Sequence, residues 1–171
     1  MRKKVFLGLS LVVLLGSFLG TLWLTGTATP PSATDERSAA EQLASRSISN
    51  RSDLIEAAVA AGLHSSTRIK GGVDSTTRVN DREVTINGWL ADPEGDATPV
   101  AVLVFVAGKN VAATRTRGER PDLTKALGLA FGAEENVAFA VSFGCPTGER
   151  PIVVGLGSDK QYLPIVSPPC P

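Results

Sequence analysis

Histidine occurs once, tyrosine once and cysteine twice in the 171 residues, and neither charge is in excess, since 17 Lys and Arg face 17 Asp and Glu. Each scarcity excludes a class. A neutral chain lacks the positive field that drives sequence-independent nucleic-acid binding through counterion release. Arg115, Arg117 and Arg120 bring no interleaved aromatics and so make no stacking platform for a single strand. Two cysteines are too few for a disulfide-dense scaffold, and once paired they leave too few ligands for a zinc site. Catalytic motifs are missing as well. His64 is the only imidazole that could act as a general base, and no serine stands on a G-x-S-x-G elbow to use it. Coming after Gly62, it fits a polar residue at a helix C-terminus, in favourable contact with the dipole. Glu134 and Glu135 are sequence neighbours and do not face each other across a substrate, as a glycosidase pair must. On these grounds no enzymatic activity, cofactor or metal is expected.

Long apolar runs are absent with one exception. After Met1-Arg2-Lys3-Lys4, residues Val5 to Leu24 carry no charge, and only Ser10, Ser17 and Thr21 are mildly polar. As a helix rising 1.5 Å per residue, such a run covers about 30 Å, the thickness of a bilayer's hydrocarbon core. The three cations favour a cytoplasmic N-terminus, and Trp23 falls at the far interface, where an amphipathic ring is stable. The sequence therefore predicts a signal-anchor over residues 1–24 in a bacterial cytoplasmic membrane, with the remainder on the periplasmic or extracellular side. Gly26-Thr27-Ala28 leaves cleavage as a signal peptide open, which would make the protein secreted. Without Arg2, Lys3 and Lys4 the chain has 14 basic and 17 acidic residues, a net of about −3 that gives no attraction to anionic lipid.

Export gives Cys145 and Cys170 a meaning. In an oxidising compartment two cysteines in one small domain pair, and the bridge would pin the tail Ser167-Pro168-Pro169-Cys170-Pro171 to the domain body. A redox role is not expected, because no C-x-x-C spacing lowers a thiol pKa.

Residues 25–37, with Pro30-Pro31 and several Ser, Thr and Ala, read as a flexible tether. A short helical segment follows over 38–64. Its first part, Ser38 to Ser47, is weakly apolar; its second, Asn50 to Ala61, has Asn50 or Ser52 as its cap and a stripe of Leu54, Ile55, Ala58, Val59 and Ala61 before Gly62. Beyond Ser65 the period becomes alternating. Strands are predicted at 67–73, 83–91, 100–107, 111–117, 137–143, 151–156 and 161–166, with a hairpin turn at Gly108-Lys109-Asn110 and a short helix over 120–128. The run VAVLVFVA at 100–107 is apolar on both faces, so it belongs at the centre of its sheet. About seven strands in residues 65–171 predict a mainly β fold, an antiparallel β-sandwich.

Three carboxylates, Asp92, Glu94 and Asp96, alternate in one loop, but counted from Asp92 the Gly is fourth and Leu103 twelfth. A calcium loop needs Gly at its sixth place and Glu at its twelfth, so a solvated turn is expected. Trp89 lies on the strand face opposite Val84, Ile86 and Leu90; it either stacks on a ligand or packs beneath the helix around Asp122. Arg120 and Asp122 flank Pro121 and can hold that turn together by charge-assisted hydrogen bonds. Trp89, Arg120 and Asp122 are thus the candidate ligand contacts.

The stretches Gly72-Val73-Asp74, Val84-x-Ile86-x-Gly88-Trp89-x-x-Asp92-Pro93, Val100-x-Val102-x-Val104-x-Val106-x-Gly108 and Arg120-Pro121-Asp122-Leu123 resemble a small Ig-like β-sandwich module of bacterial exported and cell-surface proteins. The similarity covers about residues 67–166, and G-W-x-x-D-P is its most specific piece. It implies an accessory, non-enzymatic module that contacts an envelope protein or polymer, with a carbohydrate-binding accessory domain as the alternative. No catalytic residue comes with it.

Overall fold

A computed structural model of the chain describes residues 33–92, 100–128, 136–157 and 159–171. The apolar run 5–24, most of the tether, and Glu94, Asp96, Glu134 and Glu135 lie outside the described residues. Among the described residues no helix is long and apolar enough to cross a membrane.

Two helices open the described chain, α1 (Ala33–Ala44) and α2 (Arg51–Ala60). The Asn50 side chain accepts hydrogen bonds from Ser52 N at 2.8 Å and Asp53 N at 3.0 Å, and Asp53 Oδ2 accepts from Ser49 N at 2.8 Å. This reciprocal cap satisfies amides that the first helical turn leaves without partners. Strands follow as β1 (His64–Ser65), β2 (Lys70–Arg78), β3 (Glu83–Ala91), β4 (Ala101–Val106) and β5 (Lys109–Arg115). A short helix α3 (Pro121–Leu127) then leads to β6 (Ala138–Gly144), β7 (Ile152–Gly157) and β8 (Gln161–Ile165). One sheet has the order β1-β8-β7-β4-β5 and the other β2-β3-β6. Every pairing is antiparallel except β1 with β8.

The two sheets close on each other through alternate residues. Val84, Ile86 and Leu90 of β3 and Phe139, Val141 and Phe143 of β6 meet Val102, Val104 and Val106 of β4 and Val153 of β7. The other face of the five-stranded sheet is covered as well. Leu103, Phe105, Val154, Leu156 and Tyr162 pack against Ala39 and Leu43 of α1, Leu54, Ala57 and Ala58 of α2, and Ile48 between them. β4 is therefore apolar on both faces because it is buried on both faces, and the architecture is three layers of helices, large sheet and small sheet.

Several expectations are corrected. α1 starts at Ala33, within the stretch whose composition reads as tether. The buried face of α2 is Leu54, Ala57 and Ala58, while Ile55 and Val59 are 47% and 68% exposed; small alanine side chains let the helix approach the sheet closely. His64 is not at a helix end but in β1, where its N–H donates to Lys160 O. The first long strand starts at Lys70, because Ser66 Oγ accepts from Arg68 N and Ile69 N and holds a turn there. The hairpin turn lies at Ala107-Gly108, so Lys109 and Asn110 belong to β5.

Two substitutions separate the buried layer from its surface. Phe105→Ala should cost about 3–5 kcal/mol of unfolding free energy in urea titration, and Val59→Ser should stay within about 0.5 kcal/mol.

Candidate functional site

The G-W-x-x-D motif has a physical reading at each position. Gly88 faces the core where a Cβ would come within 2.4 Å of Gly72 O and 2.6 Å of the Phe139 ring, so no side chain fits without displacing backbone. Trp89 points to the outer face of the small sheet, opposite Gly72 in register, and a Cβ on Gly72 would stand 3.3 Å from the indole Nε1. The cross-strand glycine thus makes room for the ring. Asp92 ends the motif with its carboxylate 7% exposed, accepting from Arg68 Nη2 at 2.6 Å. That hydrogen bond is the largest reason the Arg68 pKa is raised, with burial opposing it. The carboxylate that opens the acidic loop is therefore paired with a guanidinium.

Trp89 is half-buried, and α3 lies against it. Leu123, Ala91 and Val137 form a small buried cluster on which Trp89 and Leu127 pack. Pro121 starts α3, where its missing N–H costs nothing. Just before it, Arg120 donates from Nε and Nη2 to the two Asp122 carboxylate oxygens, both at 2.8 Å, in the fork geometry that suits a guanidinium. Its Nη1 donates to Asp74 Oδ2 at 2.6 Å. Asp74 occupies the place where the β2–β3 register shifts between Val73 and Ser75, a bulge that aims its side chain out of the ladder. The structure so brings Trp89, Arg120 and Asp122 into one neighbourhood and adds Asp74, whose place in Gly72-Val73-Asp74 gives no sign of a contact with Arg120. The Arg120 pKa is raised, first by its bond to Asp122 and then by Asp74, while Asp122 is lowered by Arg120. These charges are satisfied by one another, which makes the group a fastener between α3 and the sheet.

The second fastener is covalent. Cys145, just after β6, is bridged to Cys170 with Cα atoms 6.2 Å apart, and both residues are buried. Around the bridge Gly148 N donates to Cys170 O at 2.9 Å and Cys170 N to Glu149 O at 2.7 Å. Arg78, at the end of β2, adds a hydrogen-bonded grip: Nε donates to Pro171 O at 2.7 Å, and Nη2 donates to Pro171 O, Thr147 Oγ1 and Cys145 O. No sequence pattern points to Arg78, because its tail partner is 93 residues away.

Among the described residues no group of three or more His, Cys, Asp and Glu side chains is placed to hold a metal ion. Comparison of the chain with protein-family models, curated proteins and solved structures finds no match in any of the three.

Opening the covalent fastener has a calculable effect. Replacing Cys145 and Cys170 together by Ser should lower unfolding free energy by about 3 kcal/mol in the chain-entropy model, read as a shift of the urea midpoint. The ionic fastener has a pH signature. Because the folded-state pKa of Asp122 lies below its ordinary value of 3.8, the stabilisation is fully present above that value and lost as pH falls through the lowered one. Carboxyl-carbon NMR should find Asp122 titrating below 3.8 in the native chain and moving back toward it in Arg120→Ala.

Proposed function

We propose that the chain is a non-enzymatic, Ig-like β-sandwich module, exported and held at a bacterial cytoplasmic membrane by its N-terminal apolar run, where it contacts an envelope protein or polymer. The observation that carries the proposal is the Cys145–Cys170 bridge in a chain whose only long apolar run is N-terminal and preceded by cations. A buried bridge between a strand end and a tail is a structural disulfide, and such bonds persist in oxidising compartments. The strand order supports the Ig-like assignment. Leaving aside the two-residue β1, the first, second and fifth of seven strands make one sheet and the others make the second in the order seventh, sixth, third, fourth. An Ig sandwich pairs its strands in this way when its fourth strand sits on the sheet of the third, sixth and seventh. The bridge ties the end of the fifth strand to the tail beyond the seventh, unlike the B–F disulfide of antibody domains.

Partner contact falls to the surface left uncovered. The helices occupy the outer face of the large sheet, whereas the outer face of the small sheet presents Ser75, Thr77, Thr85, Asn87 and Ser142. The carbohydrate-binding alternative asks for an open indole, and Trp89 lies against Leu123, which favours the protein or polymer contact.

Intact mass of the protein from native cells, with and without reductant, together with protease shaving of spheroplasts, tests the assignment. The expected result is a bridged chain cleaved by external protease. Free thiols in a protected, cytosolic chain would overturn it.

A further inference from the structure

Residues 119–128 are held unlike the rest of the fold. On their N-terminal side Gly118 is fixed to β6, its carbonyl accepting from Val137 N at 3.1 Å and Ala138 N at 2.9 Å. At the far side Gly128 takes a φ of +64. Between these points, among the described residues, the one backbone hydrogen bond outside α3 runs from Leu123 N to Arg120 O, within the segment itself. Among the described residues two other contacts hold the segment down: Leu123, flanked by Leu127, on Ala91, Val137 and Trp89, and Arg120 on Asp74. That apolar contact contains three buried residues among those described, against fifteen and twelve in the two main clusters. Burial on this scale is small beside the conformational entropy of ten ordered residues, the condition of a segment at the low-stability end of a fold. The ionic contact is partly exposed, with Asp74 at 44%, and is open to screening by salt.

We propose that residues 119–128 form a strap that opens and closes over Trp89 independently of the sandwich, latched by Arg120 on Asp74. Opening needs no strand to separate. It bares the indole, Ala91 and Val137 as an apolar shelf at the end of the small sheet, beside the Asp74 carboxylate, so the surface presented to a partner has a covered and an uncovered form. The latch bonds to a bulged residue at a sheet edge, and its loss leaves both main clusters intact.

The test uses the full chain in lipid nanodiscs, carrying Trp23→Phe so that Trp89 is the sole indole. Hydrogen exchange read by mass spectrometry compares residues 119–128 with β4 and β7, and acrylamide quenching reports on the indole. Strap amides should exchange at least about 100-fold faster than those of β4 and β7, the behaviour of a unit that opens by itself. Arg120→Ala should speed strap exchange by about a further two- to fivefold and raise quenching, with β4 and β7 unchanged. Raising salt to about 1 M should act in the same direction on the chain with Arg120 intact, so the outcome does not depend on the variant folding. Strap protection equal to that of β4 would overturn the proposal. Fast strap exchange that ignores both Arg120→Ala and salt would equally overturn it, since the latch would then hold nothing.

Discussion

β4 cannot tolerate water on either side, and the rest of the structure follows from that constraint. Val102, Val104 and Val106 need a partner on one face and Leu103 and Phe105 on the other. A two-sheet sandwich supplies only the first. The second comes from α1 and α2, which bring Leu43, Leu54, Ala57 and Ala58 onto the large sheet and leave its Tyr162 and Leu156 covered. The hydrophobic effect acts here as a requirement for a third layer, because a strand of six residues with five buried has no solvent-facing side. The helical segment thus belongs to the folded domain, and its first turn reaches back into the stretch whose composition reads as tether.

Peripheral elements are held by other means. The chain beyond β8 has no strand to join and is fixed by the Cys145–Cys170 bridge and the Arg78 grip on Pro171. α3 has no sheet hydrogen bonds among the described residues and is fixed by Leu123 and by Arg120. Arg68 and Asp92 join the approach to β2 with the end of β3. The Arg120 contacts therefore sit at the margin of the small sheet, where modest energies decide local order, while the bridge ties the tail into the main core cluster.

The strands were readable because alternation and turn residues agree. β3 coincides with its sequence pattern from Glu83 to Ala91, and of the two residues able to cap α2, Asn50 and Ser52, it is Asn50 that does so. Phase within α2 was not readable: Ile55 and Val59 outrank Ala57 in hydropathy, yet close approach to a flat sheet selects the alanines. At the candidate site the local pair Arg120 and Asp122 was legible, being two residues apart. Asp74, 46 residues from Arg120, and Arg78, 93 from Pro171, were not, because a long-range polar contact leaves no periodic trace in a sequence. β1 escaped for a related reason: two residues pairing parallel to β8 are too few to show a period.

The dependence of the sandwich on its helical layer can be measured by deleting residues 33–62 and following urea unfolding. If β4 needs both covers, the shortened chain loses its cooperative transition and exposes apolar surface to a fluorescent dye. A shortened chain that unfolds cooperatively at the midpoint of the full chain would contradict the three-layer account.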